Sequence, residues 1–76
     1  MEVPFEDLLA GVAEEELTLE LLHGSRWRVE VSDITTASLW TPSCVIRVAQ
    51  AGSSGSLPYE LTNLDTGEYV LAARAT

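Results

Sequence analysis

Cys44 and His23 are the single thiol and the single imidazole of the chain, and between them they bound the chemistry it could perform. A cysteine and a histidine within reach of each other make a nucleophile and its base, provided a third group orients the imidazole. Cys44 opens an apolar run with Val45 and Ile46, where cysteine packs as a small apolar side chain, and His23 sits in a turn beside Gly24. An inert pair is therefore the expectation. A structural zinc site takes four ligands, so two soft ligands per chain would require a second copy. No metal or cofactor is expected.

Two short motifs invite a catalytic reading and fail on context. Asp65-Thr66-Gly67 is the triplet with which retroviral-type aspartic proteases bring together two aspartates that share a proton. That site needs apolar strand on both sides, whereas here Asn63 lies before the triplet and Glu68 after it, as in a surface hairpin turn. Gly52-Ser53-Ser54-Gly55 misses the spacing of a serine nucleophile elbow by one residue and no helical pattern follows it, so it reads as a linker. Glu14, Glu15 and Glu16 are consecutive and cannot face one another across a cleft. Raising a carboxyl pKa for acid catalysis takes an apolar pocket that a chain of 76 residues scarcely holds. The chain reads as a binding protein with no catalytic residue.

The elements that would position these groups follow from periodicity. Phe5, Leu8, Leu9 and Val12 fall at i, i+3, i+4 and i+7 behind Pro4, with Glu6 and Asp7 near the start, which predicts an N-terminal helix from Pro4 to Gly11 or on to Glu16. From Leu17 the period is two. Leu17, Leu19 and Leu21, then Trp27, Val29 and Val31, alternate with polar residues around the turn His23-Gly24-Ser25. Side-chain matching favours the register that sets Leu21 opposite Trp27, Leu19 opposite Val29 and Glu20 opposite Arg28. After a connector at 32–35, two further strands are expected at 36–40 and 44–49, separated by Pro42. Tyr59, Leu61 and Asn63 lead through Asp65-Thr66-Gly67 into a last strand that returns Tyr69 and Leu71 to the same face.

The fold class is α+β, mainly β: a small antiparallel, partly open barrel or curved sheet of about six strands with one N-terminal helix. One domain spans 1–76, with 1–16 an acidic helical segment, 17–76 a β-rich body and 51–56 a flexible loop. A chain this short buries about 60% of its unfolded surface, which limits its stability to a few kcal/mol.

Charge is the strongest compositional signal. The net charge is −8, and Glu2, Glu6, Asp7, Glu14, Glu15, Glu16 and Glu20 all fall in the first 25 residues, which contain no Arg or Lys. Such a field repels phosphate and steers in basic partners, which argues against direct nucleic-acid binding. Lysine is absent, which a GC-rich genome and selection for an anionic surface explain equally well. No stretch approaches the roughly 18 apolar residues of a membrane span, the N-terminal residues are acidic where a secretory signal is basic, and a lone cysteine makes no internal disulfide. These readings point to a cytosolic setting and away from membranes.

Gly24-Ser25-x-Trp27-x-Val29, then Asp33, Ala37 and Leu39-Trp40-x-Pro42, then Val45 to Val48, and Tyr59-x-Leu61-x-Asn63-Leu64-Asp65-Thr66-Gly67-Glu68 together resemble small uncharacterised bacterial proteins of SH3-like barrel type, over roughly residues 17 to 72. The resemblance implies a fold and no activity. In size and charge alone the chain is similar to phage-encoded anti-CRISPR and anti-restriction inhibitors.

Two functions follow. The first is an inhibitor that mimics nucleic acid and blocks a basic site on a nucleic-acid-binding complex, with Glu6, Asp7, Glu14, Glu15, Glu16 and Glu20 as the contact residues. The alternative is an assembly module that forms a homodimer or docks on another protein through Trp40 and an edge strand. Trp27 is expected in the core by alternation. Trp40, which precedes a proline break and shares a face with Ser38, is read as either core or an exposed anchor for a partner.

Overall fold

A computed structural model describes residues 3–51 and 56–75. Its elements in order are β1 (Phe5–Ala13), β2 (Thr18–Leu21), β3 (Arg26–Val29), α1 (Val31–Ser38), β4 (Val45–Gln50), β5 (Tyr59–Asn63) and β6 (Tyr69–Arg74). All six strands pair antiparallel and close a barrel in the order β1-β2-β3-β6-β5-β4. The mainly β class and the strand number agree with the sequence reading. The barrel is closed where a partly open one was expected, because β1 pairs with β4 through its first half and with β2 through its second.

That double pairing is the largest departure from the sequence reading. Residues 5–13 form a strand, and the expected N-terminal helix does not exist. As a strand, the segment turns Asp7 and Leu9 inward and Glu6 and Ala10 outward, and a bulge between Leu9 and Gly11 lets it bend from one partner to the other. The helical spacing of Phe5, Leu8, Leu9 and Val12 was a coincidence of an alternating pattern in which the buried polar Asp7 hid the period of two. The acidic first third is thus part of the barrel wall.

The one helix lies elsewhere. Val31–Ser38 is helical where a connector and the strand 36–40 were expected. Ile34 and Ala37 are one turn apart and both enter the core, followed by Trp40, so burial of one face overrides the strand preference of Ile34, Thr35 and Thr36. Its first turn is closed by the Asp33 and Ile34 amides donating to the Glu30 carbonyl.

The β2–β3 hairpin keeps the expected faces from Leu19 to Val29 but not the register, and Val31, expected on the inward face, instead opens the helix and is 69% exposed. Leu19 pairs with Trp27 and Glu20 with Arg26, a slip of two residues that leaves Leu19, Leu21, Trp27 and Val29 all inward. The turn keeps its three-residue length but moves one residue toward the N-terminus, so that Leu22, His23 and Gly24 lie between Leu21 and Ser25, whose carbonyl accepts from the Leu21 amide at 2.9 Å. In the last hairpin, Leu61 and Asn63 face inward as expected, and Gly67 takes a left-handed φ of 83° in the turn. The return strand is the reverse of expectation: Val70 and Ala72 are buried while Tyr69 is exposed, because Leu61 pairs with Val70. Of the expected loop 51–56, residues 52–55 lie outside the described residues.

The core is one cluster centred on Trp27, which is fully buried. Tyr59 meets its ring edge-on at 5.1 Å, Phe5 lies at 6.3 Å, and the Arg74 guanidinium sits 5.3 Å above it. Its indole N–H donates to Ser25 Oγ at 3.0 Å. No helix among the described residues is long and apolar enough to cross a membrane.

Candidate functional site

With the interior filled by side chains, anything the chain recognises must be met on its outer wall, and three features of that wall stand out. The first is the turn between β1 and β2. Glu14, Glu15 and Glu16 are all exposed there, held by the Glu16 amide donating to the Ala13 carbonyl and the Leu17 amide donating to the Glu14 carbonyl, both at 3.2 Å. Among the described residues no arginine lies within ion-pairing distance of these three. A shallow recess of about 210 Å3 runs from the turn along the hairpin, where Glu16 and Glu20 flank Val12 and Thr18. Arg26 closes its far side, 3.9 Å from Glu20.

The structure therefore divides the six acidic residues expected to act together. Glu14, Glu15, Glu16 and Glu20 share the β1–β2 hairpin. Glu6 is exposed at the other half of β1, directly across from Arg47 of β4. Asp7 is withdrawn altogether: its side chain is 2% exposed and cannot meet a partner.

No family model, curated protein or solved structure matches this chain.

The second feature is what Asp7 does instead. Its carboxylate accepts from the Leu8 amide at 2.8 Å, the His23 amide at 3.1 Å and His23 Nδ1 at 2.9 Å. Burial pushes the carboxyl pKa up, but the backbone hydrogen bonds from His23 and Leu8, with the imidazole, outweigh it and hold the group below its ordinary value of 3.8. A carboxylate only accepts, so Nδ1 carries the ring proton and the imidazole is oriented as in a base of an acid–base pair. What such a pair would need is a nucleophile. Cys44 is buried, and burial together with nearby Asp65 pushes its thiol pKa up, away from the reactive thiolate. The pair instead fastens the β2–β3 turn to β1. Sequence reasoning missed it because 16 residues separate its members. An aspartate inside an otherwise apolar alternation, with one histidine in the chain to partner it, was the available signal.

Trp40 also departs from the exposed-anchor alternative. It is buried in the core cluster at 4% exposure, and its indole N–H donates to Glu68 Oε1 at 2.9 Å, so it is no exposed anchor. The closed barrel also leaves no strand edge free among the described residues, which removes the edge-strand route to assembly. Asp65-Thr66-Gly67 is an exposed hairpin turn: the Asp65 amide donates to Asn63 Oδ1 at 2.9 Å and the Gly67 amide to the Asn63 carbonyl at 2.7 Å. Among the described residues no three His, Cys, Asp or Glu side chains gather to hold a metal ion.

The third feature is an outward rank of apolar side chains. Leu8 of β1 pairs with Val45 of β4, the Leu22 amide donates to the Leu8 carbonyl at 2.8 Å, and the Leu64 amide donates to the Val45 carbonyl at 2.9 Å. Leu22, Leu8, Val45 and Leu64 thus stand side by side across four neighbouring segments of the wall, with Leu22 60% and Leu64 44% exposed.

Proposed function

We propose that this chain is a non-enzymatic, acidic binding protein that docks on a basic protein surface through the β1–β2 hairpin, and that it acts as an inhibitor by occupying a site meant for nucleic acid, in the manner of anti-CRISPR proteins. One observation carries the reading: Glu14, Glu15 and Glu16 are all exposed on one hydrogen-bonded turn, with no ion pair to an arginine among the described residues, on a chain of net charge −8. Carboxylates carried on a backbone-closed turn can stand in for backbone phosphates. The SH3-like character of the small barrel and a bacterial cytoplasmic setting belong to the same proposal.

The test uses the chain on a solid support against a nuclease-treated bacterial lysate. The wild-type chain is expected to retain nucleic-acid-binding proteins that duplex DNA then elutes, and a Glu14→Lys, Glu15→Lys, Glu16→Lys chain is expected to lose them. Retention of the same proteins by the reversed chain rejects the proposal. An assembly reading is favoured by a different observation, the exposed apolar rank, and gains nothing from Trp40.

A further inference from the structure

The rank of Leu22, Leu8, Val45 and Leu64 serves no purpose in the fold, since Leu21, Leu9, Ile46 and Asn63 beside them already supply the inward face. Contiguous apolar side chains on the wall of a small acidic protein invite aggregation unless something covers them. A shallow depression of about 320 Å3 covers the Leu22, Leu8 and Val45 part of the rank, its lining completed by Glu6, Asp7 and His23. The next rank along the wall is Glu6, Arg47, Thr62 and Tyr69, the last 59% exposed, so an aromatic of the kind that anchors interfaces lies alongside, with Arg47 the cation of that rank, which a basic occupant would have to pass.

We propose that this face receives an amphipathic, basic helix of the partner, a reading that rests on the partner being basic as argued above. Neighbouring strands stand about 4.8 Å apart, so four positions in a rank span about 14 Å. Apolar residues at i, i+4 and i+7 of a helix span about 10.5 Å at 1.5 Å per residue, which fits within that length. Charge decides between occupants. A second copy would bring −8 against −8, whereas lysines on the flanks of a helix would meet Glu6 on one side and Asp65, next to Leu64, at the end of the rank. The acidic turn steers the partner in, and the apolar rank holds one defined segment of it.

The experiment titrates the isotope-labelled full chain with two synthetic peptides of identical leucine and lysine content, one with leucines at helical spacing and one scrambled. The patterned peptide is expected to bind about tenfold tighter or better, the amount that burying two half-exposed leucines confers, and to shift the amides of Leu8, Leu22, Val45 and Leu64. A Leu22→Ser, Leu64→Ser chain, with its fold checked by circular dichroism, is expected to bind both peptides at the scrambled level. Equal binding of the two peptides by the wild-type chain, or shifts confined to the Glu14–Glu16 turn, overturns the docking face while leaving the acidic-turn proposal standing. Reversal of Glu14, Glu15 and Glu16 to Lys should weaken both peptides together and preserve their ratio; a failure of the acidic-turn proposal would show there and not in the ratio. A concentration-dependent dimer in light scattering that the double serine chain loses would assign the face to self-association and overturn the proposal.

Discussion

Replacing Trp27 with Ala is expected to leave the chain unfolded at room temperature. Large aromatic-to-alanine changes in a packed core cost about 3–5 kcal/mol, which is comparable with the whole stability of a domain this size. Here the loss is compounded. Trp27 is the side chain that Phe5 of β1, Tyr59 of β5 and Arg74 of β6 all touch, so its removal leaves a void where three walls of the barrel meet. Relaxation into such a void is limited in a closed barrel, because each strand is held on both sides. Circular dichroism melts check this, with Trp40 emission as a second probe. A cooperative transition within a few degrees of the wild type would show that the barrel is held elsewhere.

The second large effect is expected at Asp7. An Asp7→Ala chain strips acceptors from two backbone amides and from the His23 ring, at a cost on the order of 3 kcal/mol for hydrogen bonds to a buried charge. The sign of its pH dependence follows from the lowered carboxyl pKa. Above the ordinary value of 3.8 the group is ionised in the folded and the unfolded chain, and its stabilisation is complete. As the pH falls below 3.8 the unfolded chain takes up the proton first, so the stabilisation drains away and is gone once the folded carboxyl is protonated too. Wild-type melting temperature should therefore drop more steeply under acid than that of an Asp7→Asn chain, which keeps the volume and loses the titration. Parallel profiles for the two would contradict this account. The loss also has a functional edge: the Asp7–His23 contact fastens the turn that presents Leu22, so a chain that still folds without it should hold the apolar rank less firmly.

What the sequence made legible is local. Alternation placed Leu19, Leu21, Trp27, Val29 and Leu61 on inward faces, and glycine chemistry placed Gly67 in a turn with positive φ. A hairpin slip of two residues does not move any side chain to the other face, which is why the core of β2 and β3 was right although its pairing was not. What stayed hidden depends on partners far along the chain. Residues 5–13 are a strand because β4 and β2 offer hydrogen bonds on either side, and within the segment the buried Asp7 masks the alternation that would announce it. Val31–Ser38 is helical because the core takes Ile34 and Ala37 from one face, against the strand preference of its β-branched residues. Trp40 is buried in the core cluster, with its indole N–H satisfied by Glu68, 28 residues away. The candidate sites divide the same way. The run Glu14 to Glu16 could be seen in the sequence, and its place on a turn free of arginine could not; the rank of Leu22, Leu8, Val45 and Leu64 exists only once four segments are in register.

All of the functional reading comes down to whether positive charge is received at one place on the barrel. The direct measurement is a titration of the isotope-labelled chain with a short oligolysine at low and at high ionic strength, read amide by amide. The account predicts shifts concentrated at Glu14, Glu15, Glu16 and Glu20, and their disappearance as salt screens the turn. Shifts of equal size spread over every acidic residue of the wall, Glu30, Glu60 and Asp65 included, would contradict it.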